Sequence, residues 1–244
     1  MKNRNRFISS IEREVGRCIN RYNLVQGDDR VLVGLSGGKD SLVLLETLSN
    51  RRKRLPINYH IIAAYIHLHG IGYESDRAFL KSFCNDLGVP LRIIDVGTDI
   101  SPEKDKSICF LCSWHRRKQL FDLAAEENCS KIALGHHMND AAETLLMNMI
   151  FSGSISSMPP ALELFSGRIR LIRPLSLIPE DKITEYAKIR KFPEQAKICP
   201  WSNQSQRAEI KKLISTITEM DKNGLSNIYK SMSNIHHEYL PPGK

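Results

Sequence analysis

The sequence predicts an α/β fold: a doubly wound, mostly parallel sheet of five strands, preceded by one helix and followed by terminal helices. Three observations predict it. Val31-Leu32-Val33-Gly34-Leu35 is a short, unbroken apolar run of the kind that fills a strand covered on both faces. A glycine-rich turn follows it directly and opens a helical pattern. Strand and helix patterns then alternate as far as Gly135, which is how parallel sheets with crossover helices are built.

The elements follow in order. From Arg6 to Tyr22, Phe7, Ile11, Val15, Cys18 and Ile19 recur at three- and four-residue spacings with Arg and Glu between them, an amphipathic helix. Gln26-Gly27-Asp28-Asp29 marks the turn into the first strand. A helix over Asp40–Asn50, a strand over His60–Ile66, a helix over Glu74–Leu87 and a strand over Leu91–Val96 come next. A loop containing Pro and charge then leads to a helix over Ser113–Glu127 and a strand over Lys131–Gly135. Asp140–Ile150 reads as helical, Arg168–Leu175 as the fifth strand, and Asp181–Arg190 as a helix after Pro179. Ser205–Thr218 and Leu225–His236 are the two closing helices. Arg51-Arg52-Lys53-Arg54 is the dense charge run and reads as a solvated loop. A single domain is expected, with an N-terminal helix over 1–28, a core over 29–200 and C-terminal helices over 201–244.

A chain of 244 residues can bury one substantial core, and 41% hydrophobic with 25% charged residues excludes disordered and fibrous classes. The net charge of +8 favours a polyanionic partner, since each Lys or Arg set beside a phosphate releases a condensed counterion. No apolar run reaches the roughly 18 residues of a membrane span, and Phe7–Ser10 is too short for a signal-peptide core. A cytoplasmic protein without a membrane partner is expected, in which six cysteines serve as thiols or ligands rather than bridges.

Ser36-Gly37-Gly38-Lys39-Asp40-Ser41 lies between the first strand and the next helix. Its glycines let backbone approach a phosphate, the helix start aims unpaired amides at an anion, Ser36 and Ser41 add hydroxyls, and Lys39 adds a positive charge. The spacing is not that of the Walker loop. The string resembles the pyrophosphatase loop of the N-type ATP pyrophosphatases, the PP-loop superfamily with the adenine nucleotide alpha hydrolase-like fold. That resemblance implies ATP as substrate, with pyrophosphate held by residues 36–41 and adenine near the carboxyl ends of the first two strands. Ala64 at the end of the second strand, with Gly34 and Leu35 bordering the pocket, is then implied in the adenine site.

Cys109-Phe110-Leu111-Cys112 is a CxxC at the end of a loop, with Ser113 placed to begin the following helix. The spacing brings two thiolates onto one metal or cluster, and alone it is ambiguous among zinc, a redox dithiol and coincidence. Cys129 and Cys199 follow it in the chain, and Cys199, flanked by Ile198 and Pro200, can supply a third ligand at most. Cys18, Cys84 and Cys129 fall in predicted helices or at their ends and read as small buried hydrophobes. His136-His137 is not a metal pair, since adjacent residues at a strand end point to opposite sides.

These pieces together resemble the tRNA 2-thiocytidine synthetase family. The likeness rests on the phosphate loop, the CxxC running into a basic helix up to Lys118, and Gly135-His136-His137-Met138-Asn139-Asp140. Met158-Pro159-Pro160, Ile172-Arg173-Pro174-Leu175 and a cysteine after Phe192-Pro193 complete it. The resemblance implies ATP- and Mg²⁺-dependent activation of a cytidine O2 on tRNA, at position 32 of the anticodon loop, and its replacement by sulfur. It implies a 4Fe–4S cluster on Cys109, Cys112 and Cys199, one iron lacking a protein ligand. It also implies Lys39, Asp40, Arg116 and Asp140 as catalytic residues. Lys39 and Mg²⁺ would offset phosphate charge, Arg116 would stabilise the adenylate, and Asp140 would orient the metal or the base. Gly135, lacking a side chain, would admit ATP.

A sulfur donor such as a cysteine desulfurase and a homodimer are implied as well. Arg13, Arg17, Arg51, Arg52, Arg116, Arg117 and Lys118 are candidates for the tRNA backbone. The chain departs from the family pattern at Met138 and Asn139, in the longer segment from Phe192 to Cys199, and at Ser202, where a further cysteine is usual. The alternatives are another modifying enzyme with the same loop, acting by uridine thiolation or lysidine synthesis, or a zinc-containing nucleic-acid-binding module without turnover.

Overall fold

The computed structural model describes residues 2–69, 75–97, 108–194 and 206–241. Strands β1 (Arg30–Gly34), β2 (His60–Leu68), β3 (Leu91–Val96), β4 (Lys131–Ala133), β5 (Ala161–Leu164) and β6 (Ile169–Ile172) form one sheet in the order β3-β2-β1-β4-β6-β5. Every pairing is parallel except that of β5 with β6. The expected mostly parallel α/β sheet is present, with six strands rather than five among the described residues. The extra strand is β5, whose Leu162 and Glu163 are exposed on the sheet's rim. Four half-exposed residues behind Pro159-Pro160 carry no buried-strand signature.

The helices are α1 (Lys2–Arg21), α2 (Lys39–Arg54), α3 (Arg77–Leu87), α4 (Ile108–Glu126), α5 (Met138–Ser152), α6 (Glu180–Arg190), α7 (Gln206–Met220) and α8 (Gly224–Ser231). Side-chain alternation on the strands splits the core. Val31, Val33, Ile61 and Ala63 pack with Ile11, Val15 and Ile19 of α1, Leu44, Leu45 and Leu48 of α2, Leu80 and Phe83 of α3 and Ile183 of α6. Leu32, Ile62 and Ile132 point the other way, onto Leu123 and Ala124 of α4. Each such buried aliphatic contributes roughly 1.5–3 kcal/mol over its exposed state.

Several helices begin or end elsewhere than the sequence pattern places them: α1 already starts at Lys2 rather than Arg6, and α8 ends at Ser231 rather than His236. Arg51–Arg54 is not a loop but the last turn of α2, where four cations face the negative end of the helix dipole. Likewise α4 starts at Ile108, so the CxxC belongs to a helix and Ser113 does not open it; its hydroxyl donates to Phe110 O at 2.9 Å. Nothing between Ile108 and Ser113 breaks a helix.

The chain divides into two compact units, residues 1–137 with 159–203 and residues 138–158 with 204–244. This cuts the chain differently from the expected 1–28, 29–200 and 201–244, because α5 joins the C-terminal helices. In the first unit, buried Glu46 of α2 accepts bonds from Tyr186 Oη at 2.8 Å and Arg190 Nε at 3.0 Å, fastening α6 beside α2. In the second, Ala142 of α5 packs with Ile210 and Ile214 of α7, flanked by Leu225 and Ile228 of α8.

Candidate active site

β1 delivers the chain to the carboxyl edge of the sheet, where Leu35 N still donates to Ala64 O at 2.8 Å. The backbone then turns through Gly37, whose φ of 81° lies in the left-handed region that a side chain disfavours. Ser36 and Ser41 close the turn: Ser41 Oγ accepts from Ser36 N at 3.1 Å and donates to Gly38 O at 2.9 Å. From outside, Ser75 Oγ donates to Ser36 O at 2.8 Å. Gly38 is the N-cap of α2 and no side chain caps it, so the first-turn amides face outward toward any bound anion.

Lys39 opens α2 with its ammonium between two carboxylates, 2.9 Å from Asp40 Oδ1 and 3.0 Å from Glu180 Oε1. Burial alone would lower its pKa, but Asp40 and Glu180 outweigh that and hold it above the ordinary lysine value. Glu180, in the first turn of α6, was not among the sequence candidates; an acid just after Pro179 at a helix start was the available signal. His137 Nε2 lies 3.9 Å from Asp40 Oδ1, while His136 Nδ1 accepts from Arg173 Nε at 3.3 Å. The two histidines diverge as expected, from a loop past β4 rather than from the strand itself.

Several expectations change in detail. A Cβ on Gly135 would stand 3.0–3.1 Å from the backbone of Asp40 and Ser41, so its missing side chain makes room for the start of α2 rather than for ATP. Ala64 is not at a strand end: β2 runs on to Leu68, and Ala64 is 1% exposed in the cluster under α4. Leu35 is also 1% exposed, and Gly34 faces Leu134 and Leu120, so residues 34, 35 and 64 offer a pocket their backbone and not their side chains.

Asp140 is the third residue of α5, which starts at Met138; it belongs to the second unit, 3.8 Å from Arg207 Nη1. Buried Glu143, one turn on, lies 3.6 Å from Arg207 Nε.

Cys112 is half-buried against Ile66 and Leu68, the end of β2, together with Val96, the end of β3, and Leu120. This puts the helix-borne CxxC on the carboxyl edge of the sheet, the edge from which the phosphate loop projects. Arg116 is half-buried one helical turn beyond Cys112, on the same face. The side chain of Cys109 and all of Cys199 lie outside the described residues. Cys18, Cys84 and Cys129 are buried thiols as expected, with Cys84 pushed up to about 11 by burial.

Away from this edge, a groove of about 840 Å³ runs between α1 and the end of α2, lined by Arg13, Arg17, Arg51 and Arg54 against Glu12. A Cβ on Gly16 would stand 2.8 Å from Arg51 Nη1, so the glycine lets that guanidinium lie across the helix.

A glycine-turned loop between a buried parallel strand and an uncapped helix defines a PP-loop domain, and the PP-loop domain family model matches residues 8–211. The tRNA-cytidine(32) 2-sulfurtransferase of Hahella chejuensis is 36% identical over 242 residues, 97% of this chain and 84% of that protein. The protein of the same name from Geotalea uraniireducens is 36% identical over 243 residues, 96% of this chain and 95% of that protein. The structure of the U34-tRNA thiolase NcsA from Methanococcus maripaludis with its 4Fe–4S cluster matches with a TM-score of 0.79 at 27% identity, covering 98% of this chain and 81% of that one. The chain belongs to the tRNA-cytidine(32) 2-sulfurtransferase family of PP-loop proteins.

Proposed function

We propose that this chain is an ATP-dependent tRNA thiolase that adenylates the O2 of cytidine 32 and then exchanges that oxygen for sulfur, a C2–S bond forming as the C2–O bond breaks with AMP as the leaving group, to give 2-thiocytidine. One observation carries the reading: the phosphate loop and the helix bearing Cys109 and Cys112 meet the sheet at the same carboxyl edge. That edge is where open α/β sheets take ligands.

Oxide is a very poor leaving group, so the carbonyl oxygen must first be activated. The O2 lone pair forms a bond to the α-phosphorus of ATP, and the α–β bridging bond breaks with its electron pair passing to pyrophosphate. The first-turn amides of α2 and the backbone of Gly37 and Gly38 receive that pyrophosphate. Lys39 exchanges one of its carboxylate partners for a phosphate oxygen, and Asp40 is then the carboxylate at hand for Mg²⁺. Arg116 offsets charge on the adenylate.

Cys109, Cys112 and Cys199 are the residues that would hold a 4Fe–4S cluster. The half-buried position of Cys112 against Ile66, Leu68 and Val96 fits such a group, since an apolar wall shields it from water. When bound, a cluster held by three thiolates supplies an iron open to sulfide. In the same reading a cysteine desulfurase delivers the sulfur, two copies of the chain associate, and the enzyme works in the cytoplasm. The arginines of the α1–α2 groove hold the tRNA backbone.

Cytidine 32 is named by the relatives and uridine 34 by the structural neighbour, so the base is the point to test. Anaerobically prepared protein is incubated with ATP, sulfide and tRNA transcripts, and the digested nucleosides are identified by mass. 2-Thiocytidine from position 32 is the expected product; 2-thiouridine from position 34 would move the activity to the other base.

A further inference from the structure

Beyond the phosphate loop and the cysteines, one group of metal-ligating side chains is assembled on the sheet. β2 ends in Ile66-His67-Leu68, and His69 follows directly. Ile66 and Leu68 point to the α4 face beside Cys112, so strand alternation sends His67 and His69 to the opposite face. On that face β3 brings Asp95 into register with His67. One imidazole nitrogen from each histidine and one carboxylate oxygen of Asp95 lie within 4.8 Å of one another. His69 Nε2 is 4.0 Å from Asp95 Oδ1, and the two imidazole rings stand edge to face with centroids 5.0 Å apart.

We propose that His67, His69 and Asp95 form a second metal site, separate from the cysteines and specific for a first-row divalent cation such as Zn²⁺. Imidazole nitrogens select these ions over Mg²⁺ and Ca²⁺, which prefer all-oxygen shells. Ligands on one tetrahedral zinc sit about 3.4 Å apart, given bonds of about 2.0–2.1 Å. Rotation of the two imidazoles, that of His69 exposed, closes the remaining gap on the carboxylate without moving the strands.

Arg77 of α3 faces the site and donates to both Asp95 oxygens, at 2.6 and 3.0 Å. It fixes the carboxylate in the way hydrogen-bonded outer partners orient metal ligands, and leaves the oxygens' other lone pairs toward the histidines. Three protein ligands leave a fourth position open. With a guanidinium beside it, that position suits water or an anionic oxygen. The site stands on the carboxyl edge shared with the phosphate loop, to which Ser75, two residues before Arg77, is bonded.

Co²⁺ alone is the probe, because its spectrum distinguishes nitrogen and oxygen ligands from thiolates, and the full chain is titrated. In Cys109→Ser/Cys112→Ser, which removes the thiolate pair, the expected result is one equivalent whose visible ligand-field bands lack a thiolate charge-transfer band. These bands disappear when His67→Ala/His69→Ala is added to that background. Should the double histidine variant lose its fold by circular dichroism, the exposed single variant His69→Ala carries the same prediction. Unchanged binding in the histidine variants, or its loss in the cysteine variant alone, overturns the site.

Discussion

At the scale of single residues, the site is built from groups already satisfied by one another. Lys39 is neutralised by Asp40 and Glu180, which keeps a cation ready at the helix start without leaving it a bare charge in a half-buried position. Phosphate binding then trades partners instead of desolvating a new ion. Lys39→Ala is expected to lower tRNA-dependent pyrophosphate release by about 10²–10³-fold, the usual cost of one donor at developing phosphate charge, with the melting temperature nearly unchanged. Gly135→Ala acts differently. Its methyl would press on the backbone of Asp40 and Ser41, costing roughly 1–3 kcal/mol in stability and weakening ATP binding more than tRNA binding; calorimetry and titration separate the two. Tyr59 supplies a pH marker. Burial pushes its phenol up to about 12, though Arg51 and Arg52 pull the other way, and its hydroxyl donates to Leu48 O at 2.7 Å. A raised folded pKa means this contribution is fully present below the unfolded value of about 10 and is lost as pH climbs toward 12. Near-ultraviolet phenolate absorbance should report two late-ionising tyrosines, Tyr59 and the still more strongly raised Tyr186, buried beside Glu46, that come into range only in urea.

At the scale of elements, α6 is what sets the α2 start. Both ends of α6 are tied to α2, Glu180 to Lys39 at one end and Tyr186 with Arg190 to Glu46 at the other. Arg190 is half exposed and water takes up its guanidinium, so Glu46→Ala is expected to cost roughly 1.5–3 kcal/mol in urea unfolding through the charged hydrogen bonds it loses, against about 1 kcal/mol for Tyr186→Phe. None of this pairing was legible in the sequence, because Glu46 and Arg190 are 144 residues apart and each reads alone as a solvated helix residue. The phosphate loop, by contrast, was legible because its physics is local: two glycines, two hydroxyls and a lysine between a buried strand and a helix. β3 also appears over the very residues its apolar pattern marks, Leu91–Val96. The start of α4 was misplaced since cysteine spacing says which thiols can converge but not whether the backbone between them is helical. β5 escaped notice because an edge strand buries too little to leave a pattern.

At the scale of the whole molecule, the excess of positive charge has an address. Arg13, Arg17 and Arg51, chosen from the sequence only as basic residues, line one groove with Arg54. Arg13→Glu/Arg17→Glu should weaken tRNA binding, and should reduce the slope of log affinity against log salt by about 1.4–1.8 if each arginine meets one phosphate. ATP binding should be untouched.

The proposed reaction joins two chemistries at one sheet edge, adenylation at the loop after β1 and sulfur insertion at the thiols of α4. The direct measurement is made on Cys112→Ser, following pyrophosphate release and thiolated nucleoside in the same anaerobic reaction with tRNA and ATP. Pyrophosphate release that persists while the thiolated nucleoside vanishes is the predicted result. Thiolated nucleoside formed at the wild-type rate would contradict it.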